Sequence, residues 1–158
     1  MYKILFDADL MLDAVMNRTE FAEDIKALLE NSHHWIRLYL TDVGLQKISA
    51  YTSCLRNSYI SEIVAEWLQE QIQICTVDQG LVQKSRHLSL KDFESAIELA
   101  CLSHYQLDAI VTNHPESFIA SSYQFCVWSF NELWLRIDLE SQLRVVMRKA
   151  PKYEGQNQ

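Results

Sequence analysis

Short apolar runs alternate with helical spacings along the whole chain. Residues 3–6 (KILF) form an apolar run that stops at Asp7, as a buried strand does. Apolar residues three and four apart predict helices over 10–16 and 21–29, and 35–40 reads as a second strand. Helices follow over 42–51 and 59–71, then a third strand over 72–77 and a helix over 79–86. The clearest amphipathic helix covers 93–104. Strands over 109–111 and 125–128 and helices over 130–136 and 139–147 complete the pattern. Strands separated by helices imply a parallel sheet covered on both faces.

Composition agrees with this pattern. Of 158 residues, 49% are hydrophobic and 22% charged, a globular balance that excludes disordered and collagen-like classes. Only 3 Gly and 2 Pro are present, too few for the tight turns of an all-β fold. No linker or repeat divides the chain. Residues 1–150 therefore read as one domain, and 151–158 (PKYEGQNQ) as a loose polar tail. Asp7 and Asp9 interrupt any signal-peptide core, and no apolar run approaches the roughly 20 residues that span a bilayer. A cytoplasmic protein is expected. Cys54, Cys75, Cys101 and Cys126 form no CxxC pair and read as buried, reduced thiols. The net charge of -7 weakens non-specific nucleic-acid binding, which Lys and Arg supply. It leaves room for a nuclease, because a carboxylate site changes local sign when it binds a cation.

Ligands of open α/β sheets bind beyond the carboxyl ends of the strands. Asp7 stands at such an end. With Asp9 taken as the N-cap of the helix near Leu10, Asp7 is left without a structural task. Asp92 opens the 93–104 helix at the edge of an apolar arc of Phe93, Ala96, Ile97, Leu99, Ala100 and Cys101. It reads either as a cap or as a carboxylate at a cleft. On the same wheel Glu94 and Glu98 fall on the opposite, solvated face. Thr112, Asn113 and His114 follow the 109–111 strand and place small polar groups at another carboxyl end. A plain turn with Pro115 opening a helix is the structural alternative.

Together these segments resemble the PIN domain, the fold of many metal-dependent ribonucleases, toxins of toxin–antitoxin pairs included. The resemblance runs from about Ile4 to Leu133. It rests on ILFDADLMLDAVMNR, on DFESAIELACLSHYQLDAIVTNHPESF and on VWSFNEL. It implies a three-layer α/β/α sandwich with a short, mainly parallel sheet of four to five strands. It also implies Mg²⁺ or Mn²⁺ held by clustered acids, with metal-activated water attacking an RNA phosphodiester. RNA, a small antitoxin-like protein and a second copy are the partners implied.

Carried over by position, Asp7 matches the first family acid and Asp92 the first acid of the helix motif. Asp9 stands where the family commonly has Asn. Asp7 and Asp92 are thus the catalytic candidates, with Asp9 a third metal ligand. The second family acid falls on Lys47 (Gln46 if the register slips by one), and the other helix acid is Ser95. Asn113 and His114 stand for Arg-Asn, and Ser117 for Asp. Asp9, Glu94 and Glu116 are the acids available to compensate. Lys47 opposes a metal ion, since like charges about 4 Å apart repel by ~4 kcal/mol at a dielectric near 20. It can instead meet an RNA phosphate, with Thr112 and Asn113 as further substrate contacts.

Other readings compete less well. FDADL resembles the Asp-x-Asp opening of haloacid-dehalogenase-type phosphatases, but Met11 replaces the expected Thr or Val and the late acid pair is missing. A receiver-type switch lacks a Lys after the 109–111 strand. Trp35, Trp67, Trp128 and Trp134 fit a core better than a base-stacking platform. The histidines show no metal-ligand spacing. A catalytically silent PIN-like module that binds nucleic acid or protein is the serious rival.

Overall fold

The structure, a computed structural model, describes residues 1–31, 34, 36–88, 90, 92–121 and 124–149. The elements run β1 (Tyr2–Phe6), α1 (Ala8–Val15), α2 (Ala22–Glu30), β2 (Ile36–Thr41), α3 (Asp42–Leu55), α4 (Ser58–Gln71), β3 (Gln73–Cys75), α5 (Gln79–Arg86), α6 (Phe93–His104), β4 (Ala109–Val111), a 3-10 segment (Pro115–Ser121), β5 (Val127–Trp128) and α7 (Phe130–Lys149). The five strands lie in the order β3-β2-β1-β4-β5, and every pairing is parallel. This is the three-layer α/β/α architecture, with all five strands in one sheet.

Side-chain alternation along the strands builds two cores. Ile4 and Phe6 of β1, with Leu38 and Leu40 of β2 and Val111 of β4, face α1, α2, α3, α4 and α7. Leu5 and Ile110 face the other way, towards Leu99 and Leu102 of α6 and Phe118. Leu81 of α5 packs on Ile97, Ala100 and Cys101 of α6. Ile4, Leu5 and Phe6 are fully buried, which identifies β1 as the centre of the molecule. Each such side chain contributes roughly 1.5–3 kcal/mol when removed from water.

Polar caps punctuate the elements. Asp7, Thr41, Asn57, Asp78 and Asp92 each accept a first-turn amide of the helix that follows. Helices α1 and α6 end in left-handed residues that are not glycine, Asn17 (φ 57°) and Gln106 (φ 51°). The amides one residue further on, Arg18 and Leu107, return to the carbonyls of Asp13 and Leu102.

Several expectations change. The helices foreseen over 130–136 and 139–147 are one helix, α7. Neither Gly nor Pro interrupts it. Phe130, Leu133 and Ile137, at i, i+3 and i+7, carry the buried stripe up to the foreseen break. Cys75 and Cys101 are buried thiols as expected, but Cys54 and Cys126 are exposed. The foreseen position of Trp35 in the second strand, and the tail 151–158, lie outside the described residues. No helix among the described residues is long and apolar enough to cross a membrane.

Candidate functional site

Asp7 follows β1 directly, and its amide donates to the Val111 carbonyl at 2.9 Å, extending the β1–β4 ladder by one bond. Asp7 is 7% exposed. One carboxylate oxygen accepts the Thr112 hydroxyl at 2.5 Å and the other the Asp9 amide at 3.0 Å. Asp7, not Asp9, is therefore the cap of α1. Contrary to expectation Asp7 does have a structural task, since one carboxylate both caps the helix and faces the pocket. Thr112 is fully buried and also accepts the His114 amide at 3.0 Å. That burial corrects its expected role: it holds Asp7 in place and offers no surface to a substrate.

Asp92 caps α6, accepting the Ser95 amide at 3.0 Å and the Ser95 hydroxyl at 2.6 Å. Ser95 thus anchors Asp92 through both its amide and its hydroxyl. Despite 85 residues of separation, Asp7 and Asp92 line one pocket of about 370 Å³ at the carboxyl edge of the sheet, with Asp9, Lys47, Glu94, Ser95, Glu98, His114, Ser117 and Phe118. Asn113 is exposed and does not line it. Glu116 lies outside as well and pairs with the His114 ring at 3.1 Å.

Glu98 was expected on a solvated face. It is 4% exposed, and it accepts the Ala8 amide at 2.9 Å. The wheel assumed one buried face, but α6 buries eight consecutive residues from Ser95 to Leu102. A detectable signal existed: Glu98 is the only charge in the run AIELACL. Glu94 is exposed, as the wheel placed it, and also borders the pocket.

Lys47 projects from α3. Its ammonium lies 2.7 Å from Asp9 and 2.5 Å from Glu94, with its side chain 22% exposed. Gly44 makes this approach feasible. A Cβ there would stand 3.0 Å from Ala8 Cβ and 3.0 Å from Thr41 Oγ1, so a larger residue would press the first turn of α3 against the start of α1.

Burial and crowding set the electrostatics. Desolvation raises the Asp7 carboxyl above its usual range, opposed by the Thr112 and Asp9 hydrogen bonds. Glu98 is pushed well upward by burial and by the nearby Asp7 charge. Asp92 is pulled down: its hydrogen bonds from Ser95, and Lys47, outweigh its desolvation. Lys47 is raised, because its bonds to Asp9 and Glu94 overcome burial.

Five carboxylates supply the hard oxygen donors that Mg²⁺ prefers. Their arrangement nevertheless does not fit a divalent ion as it stands. Oxygens of Asp7, Asp92 and Glu98 are engaged by protein donors, and Asp9 and Glu94 hold an ammonium. Among the described residues, no group of three His, Cys, Asp or Glu is arranged to hold a metal.

No protein-family model matches the chain, and no curated protein matches its sequence. Solved structures do match. VapBC-1 from nontypeable Haemophilus influenzae superposes with a TM-score of 0.64 at 10% identity, over 83% of this chain and 99% of that one. VapBC2 from Rickettsia felis, bound to a DNA fragment from their promoter, gives 0.63 at 8% identity, over 81% and 98%. VapC20 from Mycobacterium tuberculosis, a sarcin–ricin loop cleaving toxin, gives 0.56 at 12% identity, over 77% and 95%. These likenesses define the fold as the PIN-like fold of VapC-type toxin–antitoxin structures, as the sequence resemblance implied.

Proposed function

We propose that this chain is a PIN-like endoribonuclease of the toxin–antitoxin type, acting on RNA phosphodiesters and weakened by the loss of site acids. One observation carries the reading: Asp7, Asp9 and Asp92 line a single pocket at the carboxyl edge of a PIN-like sheet. Asp7 and Asp92 are the catalytic pair, and with Asp9 they would hold Mg²⁺ or Mn²⁺. That reading requires Lys47 to yield its place. Lys47 and the exposed Asn113 are the groups offered to the RNA backbone.

A small antitoxin-like protein and a second copy of this chain are the proposed protein partners, with the cytoplasm as the compartment. In support, α7 leaves Leu135, Leu139, Leu143 and Val146 each more than half exposed. An apolar strip of this kind is covered by a protein partner more readily than by water.

The ion pairs of Lys47 favour one alternative, a catalytically silent PIN-like binding module. Incubation of the chain with RNA and Mn²⁺ separates the two. The ribonuclease reading expects slow, divalent-dependent cleavage that falls on the order of 100-fold in Asp7→Asn and in Asp92→Asn. Cleavage that survives both substitutions defeats it, and complete absence of cleavage in wild type favours the silent module.

A further inference from the structure

Lys47 sits among its anions in an unusual way. Its side chain is 22% exposed, whereas those of Asp9 and Glu94 are 50% and 47% exposed, so the cation is more sheltered than the carboxylates it neutralises. It ties three separate elements: the first turn of α1 through Asp9, the body of α3, and the first turn of α6 through Glu94. Asp7, Asp92 and Glu98 line the same pocket. A cation is required wherever so many carboxylates meet, because adjacent acids cannot all ionise cheaply without one. Here the chain supplies it.

We infer that the Lys47 ammonium is the pocket's resident cation, taking the charge-neutralising place of a divalent ion and competing directly with any such ion for Asp9 and Glu94. The inference deepens the ribonuclease reading, on which it rests for the identity of the competitor. It explains why the pocket is rich in acids yet presents no ready metal group. A divalent ion entering it must break two ion pairs and stand beside a displaced ammonium. An uncharged side chain of similar length at residue 47 removes both obstacles and leaves all five carboxylates.

The test is Mn²⁺ binding to the full chain without RNA, read from the electron-paramagnetic-resonance signal of free Mn²⁺ and from thermal unfolding. Wild type is expected to bind weakly. Lys47→Gln is expected to bind about tenfold more tightly or better, and to gain Tm with Mn²⁺. Lys47→Arg, which keeps the cation, is expected to resemble wild type. Asp7→Asn added to Lys47→Gln is expected to lose the gain. If Lys47→Gln is unfolded alone and refolds with Mn²⁺, the inference is supported; if no divalent ion rescues it, the inference is overturned. Equal Mn²⁺ affinity in wild type and a folded Lys47→Gln also overturns it. Because RNA is absent, a chain that cuts nothing still passes or fails this test on its own terms.

Discussion

The two ends of the sheet make a useful contrast. At the amino end lies a cleft of about 490 Å³, lined by Leu28, Ile36, Arg37, Glu70 and Gln73 among others. At the carboxyl end lies the smaller acidic pocket of about 370 Å³. Among the described residues, the larger cavity has an Arg and two Glu among amides and apolar groups, and the smaller collects five carboxylates around one Lys. Chain direction explains the difference. In a parallel sheet every helix that follows a strand starts at the carboxyl edge, and α1 and α3 do so directly after β1 and β2. The pocket sees the amino ends of α1 and α6, capped by Asp7 and Asp92. Helix amino ends carry partial positive charge and unpaired amides, which stabilise carboxylates there and not at the opposite edge. Cavity volume thus says less about chemistry than the polarity of the elements bordering it.

Substitutions sharpen that contrast, beginning with the largest expected effect on stability. Gly44→Ala places a methyl against Ala8 and Thr41 at the carboxyl end. It should destabilise the fold by about 1–3 kcal/mol, measured by urea unfolding, as overpacking of a tight contact does. A neutral result there means that α1 and α3 have room to separate.

Glu98→Gln acts in the opposite direction. The folded pKa of Glu98 is raised above its ordinary 4.5. The folded state therefore holds that proton more tightly than the unfolded chain. Stability is fully present below the unfolded pKa and is lost as pH rises through it towards the folded value. The amide keeps an acceptor for the Ala8 N–H without the charge. The variant should melt roughly 3 °C above wild type at pH 7, and the two should converge below about pH 4. Equal melting temperatures at both pH values would mean that Glu98 pays no penalty for its burial. The smallest effect is expected at the amino end. Arg37→Ala, on the exposed side of β2, should change stability by less than ~0.5 kcal/mol and leave Mn²⁺ binding unaltered. A marked loss of binding would show that the two ends are coupled through the sheet.

Most of the fold was legible because its signals are local. The apolar run before Asp7 and the period of 93–104 reappear as β1 and α6 within a residue or two. The cap option at Asp92 is borne out too, whereas the cap of α1 is Asp7 and not the expected Asp9. Asp7, Asp9, Asp92 and Lys47 were likewise singled out by position and by family likeness. What misled was the assumption that a helix has one wet face. For α6 that assumption sent Glu98 to solvent, and it fails there because the sheet, α5 and the start of α1 enclose the helix on several sides. Thr112 was misjudged for a related reason: its hydroxyl is spent on Asp7, a partner 105 residues away.

By itself, then, the sequence determined the order of strands and helices and the acids that mark the carboxyl edge, since each depends on neighbours a few residues apart. Tertiary structure alone decided that β1 lies between β2 and β4, that Glu98 is buried against Ala8, and that Lys47 reaches Asp9 and Glu94. Those outcomes depend on distances between elements remote in the chain, which no local period or spacing encodes.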